Sequence, residues 1–187
     1  KNWRALEFAS EVMKNNEEVV LIAVQQNRSA MQYASAEYCM DAVRNNGWLL
    51  KYISEDMQNN VAFVLAAVRN DGTAFEFASE KLQNDREFTM TVMQHDCRAW
   101  QYASEDLKED EKVNVLLMQL NWRELQFAYE GMKNNFNVVM AAVQQDGLAL
   151  EFASEDLQDN ADVVMAAVKQ NPHALQYASA DLIKNSK

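Results

Sequence analysis

Residues 146–158 read Asp146-Gly147-Leu148-Ala149-Leu150-Glu151-Phe152-Ala153-Ser154-Glu155-Asp156-Leu157-Gln158, and the chain continues Asp159-Asn160-Ala161-Asp162-Val163-Val164-Met165-Ala166-Ala167-Val168-Lys169-Gln170. Apolar residues fall here at helical, not alternating, spacing. Leu148, Leu150, Phe152, Ala153 and Leu157 line the first half, and Val163, Val164, Ala167 and Val168 form a stripe along the second. Asp146 is a preferred helix N-cap. Ser154 suits the cap of a short extra turn, whose start carries Glu155 and Asp156 where the helix dipole favours them. The stretch predicts helix, one-turn link, helix.

The pattern recurs along the whole chain. An aromatic residue stands at Phe8, Tyr33, Tyr52, Phe77, Tyr102, Phe127, Phe152 and Tyr177, every gap being 25 residues except the second, which is 19. Each copy opens on a capping residue: Asn2, Asn27, Asn46, Asp71, Asp96, Asn121, Asp146 and Asn171. Pro172 follows the last of these, as the first helical position allows. Asn15 with Glu18, Asn84 with Glu87, and Asp159 with Asp162 have capping-box spacing and mark the start of the second helix.

One such unit cannot bury its own apolar face, but stacked neighbours can. The predicted fold is an all-α solenoid of stacked 25-residue helix–short turn–helix repeats, eight units in a single domain over residues 1–187. The recurring aromatic is expected to be the main filler between units. The second unit, residues 27–45, lacks the six residues that match the link. Either Ser35 caps its second helix directly, or Arg28 to Asn45 run as one bent helix. The absence of Gly or Pro favours the continuous helix, and a change of superhelix direction is expected near residues 35–47. The abrupt start and the end at Asn185-Ser186-Lys187, without a second helix, suggest a piece cut from a longer protein.

Composition agrees with helices. Gly (4) and Pro (1) are too scarce for a turn-rich β or α/β fold. The formal net charge of −11 argues against nucleic acid and against anionic membrane surfaces as partners. No apolar run reaches the length of a membrane span. Cys39 and Cys97 lie three units apart, roughly 25–30 Å at ordinary helix spacing, so no disulfide is expected between them. Two reduced thiols suit a cytosol-like compartment.

The phrase Ala-Leu-Gln-Tyr-Ala-Ser-Glu-Asp-Leu, followed by Val-Val-Met-Ala-Ala-Val-Lys-Gln-Asn, resembles the repeat family catalogued as domain of unknown function 4116. Residues 149–157, 163–171 and 174–179 carry the likeness best. Residues 36–43 depart from it, and Asn114 stands where Val is usual. The resemblance implies a repeat found in proteins of intracellular bacteria, protists and their viruses. It is consistent with part of a secreted effector acting in a host cytosol. It implies no catalytic residue.

Chemistry-bearing motifs are sparse. His95, beside Asp96 and Cys97, matches no standard metal-ligand or nucleophile spacing. His173 sits in a first turn. No phosphate loop, dinucleotide fingerprint or nucleophile elbow is present, and no cofactor or metal is expected. The methionines read mostly as core fillers. Two edges are candidates for partner contact. One carries Trp3, Arg4, Trp48, Arg98, Trp122 and Arg123, residue types enriched at binding hot spots. The other repeats acidic residues at one position, including Glu80, Glu105, Glu130 and Glu155, a field that would steer a basic partner. The sequence therefore predicts a non-catalytic, monomeric protein–protein interaction scaffold of unknown partner. The alternatives are an enzyme domain with a pocket at the irregular second repeat, and a purely structural spacer.

Overall fold

The computed structural model describes residues 2–185; Lys1, Ser186 and Lys187, the last two at the expected abrupt end, lie outside the described residues. Each regular copy is three short elements. In the seventh they are a 3-10 helix Gly147–Phe152, a one-turn link Glu155–Gln158 and a ten-residue α-helix Ala161–Gln170. The other long helices are Glu17–Gln26, Ala36–Asn45, Val61–Asn70, Arg86–His95, Glu111–Leu120 and Phe136–Gln145. No strand occurs among the described residues. The predicted opening caps are in place. Asp146 Oδ1 accepts from the Leu148 N–H, and Asn171 Oδ1 accepts from the His173 N–H beside Pro172. Ser154 Oγ accepts from the Leu157 N–H at the head of the link.

The first helix of each copy is a 3-10 helix, and that changes which residue fills the core. At three residues per turn, side chains at i and i+3 lie one above the other. Gly147, Leu150 and Ala153 therefore form one line, and all three are buried. Leu6, Leu50, Phe75 and Leu125 take the place of Leu150 in their own copies and are also buried. The recurring aromatic stands two residues further on, off that line. It is not the main filler: Phe8 is 84% exposed, Phe127 is 71% exposed, and Phe152 is half-buried.

The long helices begin one residue later than the capping-box spacing predicts. Their N-caps are Asn16, Asp85 and Asn160, whose side chains accept from the N–H groups of Val19, Phe88 and Val163. The residues read as caps from sequence do something else. Asn15, Asn84 and Asp159 accept a hydrogen bond from the serine that opens the following link or helix, Ser35, Ser104 and Ser179. Ser79 to Asn59 and Ser154 to Asn134 are further rungs, at 2.7 and 2.6 Å. Each rung has a backbone companion, such as the Ser154 N–H to the Lys133 carbonyl at 3.0 Å. One serine thus caps its own helix and ties it to the preceding copy.

The second copy corrects the expectation of one continuous helix. A 3-10 helix Arg28–Tyr33 ends at Ala34, and Ser35 caps a separate helix, Ala36–Asn45. Ser35 Oγ accepts from the Tyr38 N–H at 3.1 Å while donating to Asn15 Oδ1 at 2.6 Å. That doubly used hydroxyl does what a Gly or Pro stop would do, because it holds residues 34 and 35 extended, with ψ near 160°.

The chain divides into two compact units at Ser104 and Glu105. In the first, Leu6, Met31, Leu50 and Phe75 pack with Val20, Cys39, Val64 and Val92 in one core cluster. Phe75 meets Phe88 edge-on at 6.1 Å. Neither Cys39 nor Cys97 is part of a disulfide. In the second unit the Phe136–Gln145 helix packs between Glu111–Leu120 and Ala161–Gln170. The buried Asn114 donates its amide N–H groups to the carbonyls of Lys108 and Asp110 at 2.8 and 2.9 Å, while its Oδ1 is buried without a hydrogen-bond partner among the described residues.

Candidate interaction surface

The tryptophan–arginine edge is built on the opening caps of the 3-10 helices. Trp48 is about half exposed, but its ring stands edge-on to Phe77 at 5.3 Å and its Nε1–H donates to Asp71 at 3.1 Å. Trp3 lies against Tyr33 at 6.1 Å, with the Arg4 guanidinium over the Trp3 ring at 5.3 Å. Arg123 stacks on Trp122 at 4.7 Å. Arg98 holds Asp96 through Nε and Nη2 at 3.1 and 2.6 Å and reaches Asp71 at 3.2 Å. The Arg98 hydrogen bonds are the main reason the Asp96 carboxyl titrates below its ordinary range. Asp71 is lowered chiefly by the Thr73 backbone N–H, then by its hydroxyl. These side chains therefore already have partners within the molecule.

The acidic edge is partly self-neutralised. Glu105 and Glu130 accept from Lys108 and Lys133, three residues on, at 2.8 and 3.0 Å. Glu105 also accepts from the Tyr129 hydroxyl at 2.7 Å, and the two bonds, Lys108 first, hold its carboxyl below the ordinary carboxylate range. Glu80 and Glu155 are exposed in the first turns of their links. The position that carries Lys14, Lys108 and Lys133 is Gln58, Gln83 and Gln158 in three other copies. Those glutamines turn inward, and each donates to the carbonyls that end its own 3-10 helix, as Gln158 does to Leu150 at 3.0 Å. Sequence reading missed this role, although Lys or Gln at a fixed place in the link was its signal.

At the irregular second copy a groove of about 380 Å³ opens between the Glu17–Gln26 and Ala36–Asn45 helices. Glu17, Glu37, Asp41 and Tyr38 line it, and burial, then the Glu17 charge, raises the Tyr38 hydroxyl. It brings together neither a nucleophile–base pair nor a cationic group. His95 and His173 are exposed, and no group of three potential metal ligands occurs among the described residues.

The surface that sequence reading did not single out lies on the long helices. One outward position is apolar throughout: Leu21, Met40, Leu65 and Met90 in the first unit, and Val115, Met140 and Met165 in the second. Leu21 and Met165 are exposed, and the others are half-buried. Of the methionines, Met31, Met93 and Met118 are buried; Met13 is exposed with Met165, and the others, such as Met57, are half-buried. Ile22, Ala66 and Leu116 widen the row. Apolar residues at consecutive positions of a ten-residue helix look alike in sequence, whether they face the core or stand one step outside it.

The family described as domain of unknown function (DUF4116) matches the chain four times, at residues 1–39, 36–83, 85–133 and 135–183. The chain belongs to this family. No curated protein and no solved structure matches it.

The match also sets the phase of the DUF4116 unit. Its last two copies begin at or beside the N-cap of a long helix and end in a link, so each spans long helix, 3-10 helix, link, long helix, 3-10 helix, link. The 25-residue period is half of that unit. The second, third and fourth DUF4116 matches thus each carry two positions of the outward row, such as Met140 and Met165 in the last. The first match is shorter: it ends at residue 39, inside the long helix Ala36–Asn45 of the copy without a link, and holds one position of the row, Leu21.

Proposed function

We propose that this chain is a non-catalytic protein-binding scaffold whose contact surface is the outward apolar row of the long helices. The observation that carries the reading is a division of labour among positions. Serines, asparagines, glutamines and lysines at fixed places in each copy are used up on caps, rungs and helix ends. The row at Leu21, Met40, Leu65, Met90, Met140 and Met165 is apolar in every copy yet stands wholly or partly in solvent. Apolar surface kept exposed along successive helices is typical of a binding face, and methionine adapts to irregular partners. The Trp122–Arg123 pair at the edge is a second reading, favoured by the stacked guanidinium at 4.7 Å.

The test is partner capture from a lysate by the immobilised chain, read by mass spectrometry, with Met140→Glu/Met165→Glu as the row variant and Trp122→Ala/Arg123→Ala as the edge variant. The row variant should lose the captured proteins at an unchanged melting temperature. An identical captured set would remove the row, and loss with the edge variant alone would move the site there.

A further inference from the structure

Within the first unit, the apolar row meets positive charge at one place. A groove of about 470 Å³ runs between the Ala36–Asn45 and Val61–Asn70 helices. Its floor is Met40, Ala62, Leu65 and Ala66, and its rim carries Arg44 and Arg69 at the same position of two neighbouring long helices. Other copies place Gln25, Gln94, Gln119, Gln144 or Lys169 there. In a chain with 28 acidic and 17 basic residues, two arginines over one apolar floor are a local reversal of charge. Among the described residues Arg44 is held by one exposed partner, Asp41 at 3.3 Å, three residues away on its own helix. Arg69 forms no ion pair among the described residues. Asn70, also at the groove, is already committed to the Gly47 N–H and the Asn45 carbonyl.

We propose that this groove docks an acidic segment of a partner protein. An apolar side chain of the segment lies on the Met40–Leu65 floor, and two carboxylates face Arg44 and Arg69. Charge complementarity selects this occupant: the guanidinium fork matches a carboxylate in bidentate geometry, and an apolar floor gives no purchase to a purely polyanionic chain. The volume admits a few side chains, which suits a segment and not a folded domain. The Asp41 bond does not block docking, because an exposed pair of that kind is weak and exchangeable. The proposal rests on the scaffold reading above and names the partner chemistry for one part of the row.

The experiment selects a randomised peptide library on the immobilised chain and measures the enriched peptides by fluorescence anisotropy against the intact chain and an Arg44→Glu/Arg69→Glu variant. Both arginines are exposed, so the variant should keep the melting temperature of the parent. Enriched sequences should pair Asp or Glu with Leu, Met or Phe, lose at least about tenfold in affinity on the variant, and weaken with added salt. Enrichment of basic or uncharged sequences, no enrichment at all, or equal affinity for the variant would overturn the groove. If the groove fails while Met140→Glu/Met165→Glu still abolishes lysate capture, the scaffold reading stands without it. If that row variant also captures as the parent does, both fall.

Discussion

The second and seventh copies perform the same packing with different lengths of chain. Residues 146–170 run through 3-10 helix, link and long helix, whereas residues 27–45 reach an identical ten-residue helix with no link at all. Met31 and Leu150 stand at equivalent places and are both buried, as are Cys39 and Val164. Ser35 and Ser154 donate the same rung to the copy before. What the second copy lacks is the link's own contribution to the copy after it. In regular junctions an asparagine or, after the seventh copy's link, Asp159 receives the next serine, and here Ser54 caps Met57 without an equivalent acceptor from the second copy. The repeat is therefore defined by its buried line and its caps, and the link is a detachable piece that adds polar fastening.

That comparison breaks most visibly at the buried line. Met31→Ala and Leu150→Ala should each destabilise by about 2–5 kcal/mol, since each leaves a cavity in close-packed surroundings. The penalty should be alike in both copies, because the link does not touch the reason for it. Phe8→Ala, at the aromatic position, should stay within about 0.5 kcal/mol. Urea unfolding measures all three. A Met31→Ala penalty below about 1 kcal/mol would mean that the shortened copy is loosely packed and that the link does support the core.

A smaller effect distinguishes the first position of the 3-10 helix. A Cβ built on Gly147 would lie inside contact distance of the Ala167 carbonyl, part of the backbone of the long helix in the same copy. The Gly147 N–H is also fixed by Gln170 at 2.6 Å. Gly147→Ala should therefore cost about 1–3 kcal/mol through forced backbone shifts. The second copy carries Arg28 there, exposed and resting over Tyr52 at 5.8 Å. Arg28→Ala should lose only about 0.5 kcal/mol of that stacking. Thermal melts of the two variants compare them directly; a neutral Gly147→Ala would show that the close approach relaxes without strain.

Period, caps and stacking were legible because they depend on composition at fixed spacing. Asn or Asp before each 3-10 helix and Ser before every link but the one that follows Tyr129 are strong capping signals, and the structure puts both to work as predicted. Three features were not legible. A six-residue segment is too short for its apolar pattern to separate a period of 3.0 from 3.6, so Leu150 and Phe152 competed for the core and the aromatic was chosen. Neighbouring asparagines, as at Asn15 and Asn16, are equivalent by residue type, and only the fold assigns one to the helix and the other to the rung. The outward row at Met140 and Met165 follows directly after buried valines, Val139 and Val164, and no sequence signal marks where burial ends. Candidate edge residues were found by type, but their partners, Asp96 and Asp71 for Arg98, come together only when copies 25 residues apart stack.

The last difference between the two copies is chemical. Cys39 takes the place of Val164, and its thiol reaches the Met31 carbonyl at 3.4 Å in a fully buried site. Burial pushes that thiol from an ordinary value of 9.0 up to about 12. The unfolded chain begins to lose the proton near 9, while the folded chain keeps it. Between those values the unfolded state binds fewer protons, so stability is present in full below pH 9 and declines as pH rises towards 12. Tyrosines titrate in the same window, and Tyr38, Tyr102 and Tyr177 are raised as well, each mainly by burial. The contribution of Cys39 is therefore read as a difference. Cys39→Val, which copies the seventh repeat, should change stability near neutral pH by less than about 1.5 kcal/mol and flatten the alkaline decline. Urea midpoints of parent and variant, taken near neutrality and again well above pH 9, measure it. Parallel declines in the two proteins would place the alkaline sensitivity in the tyrosines and leave the buried thiol a simple substitute for valine.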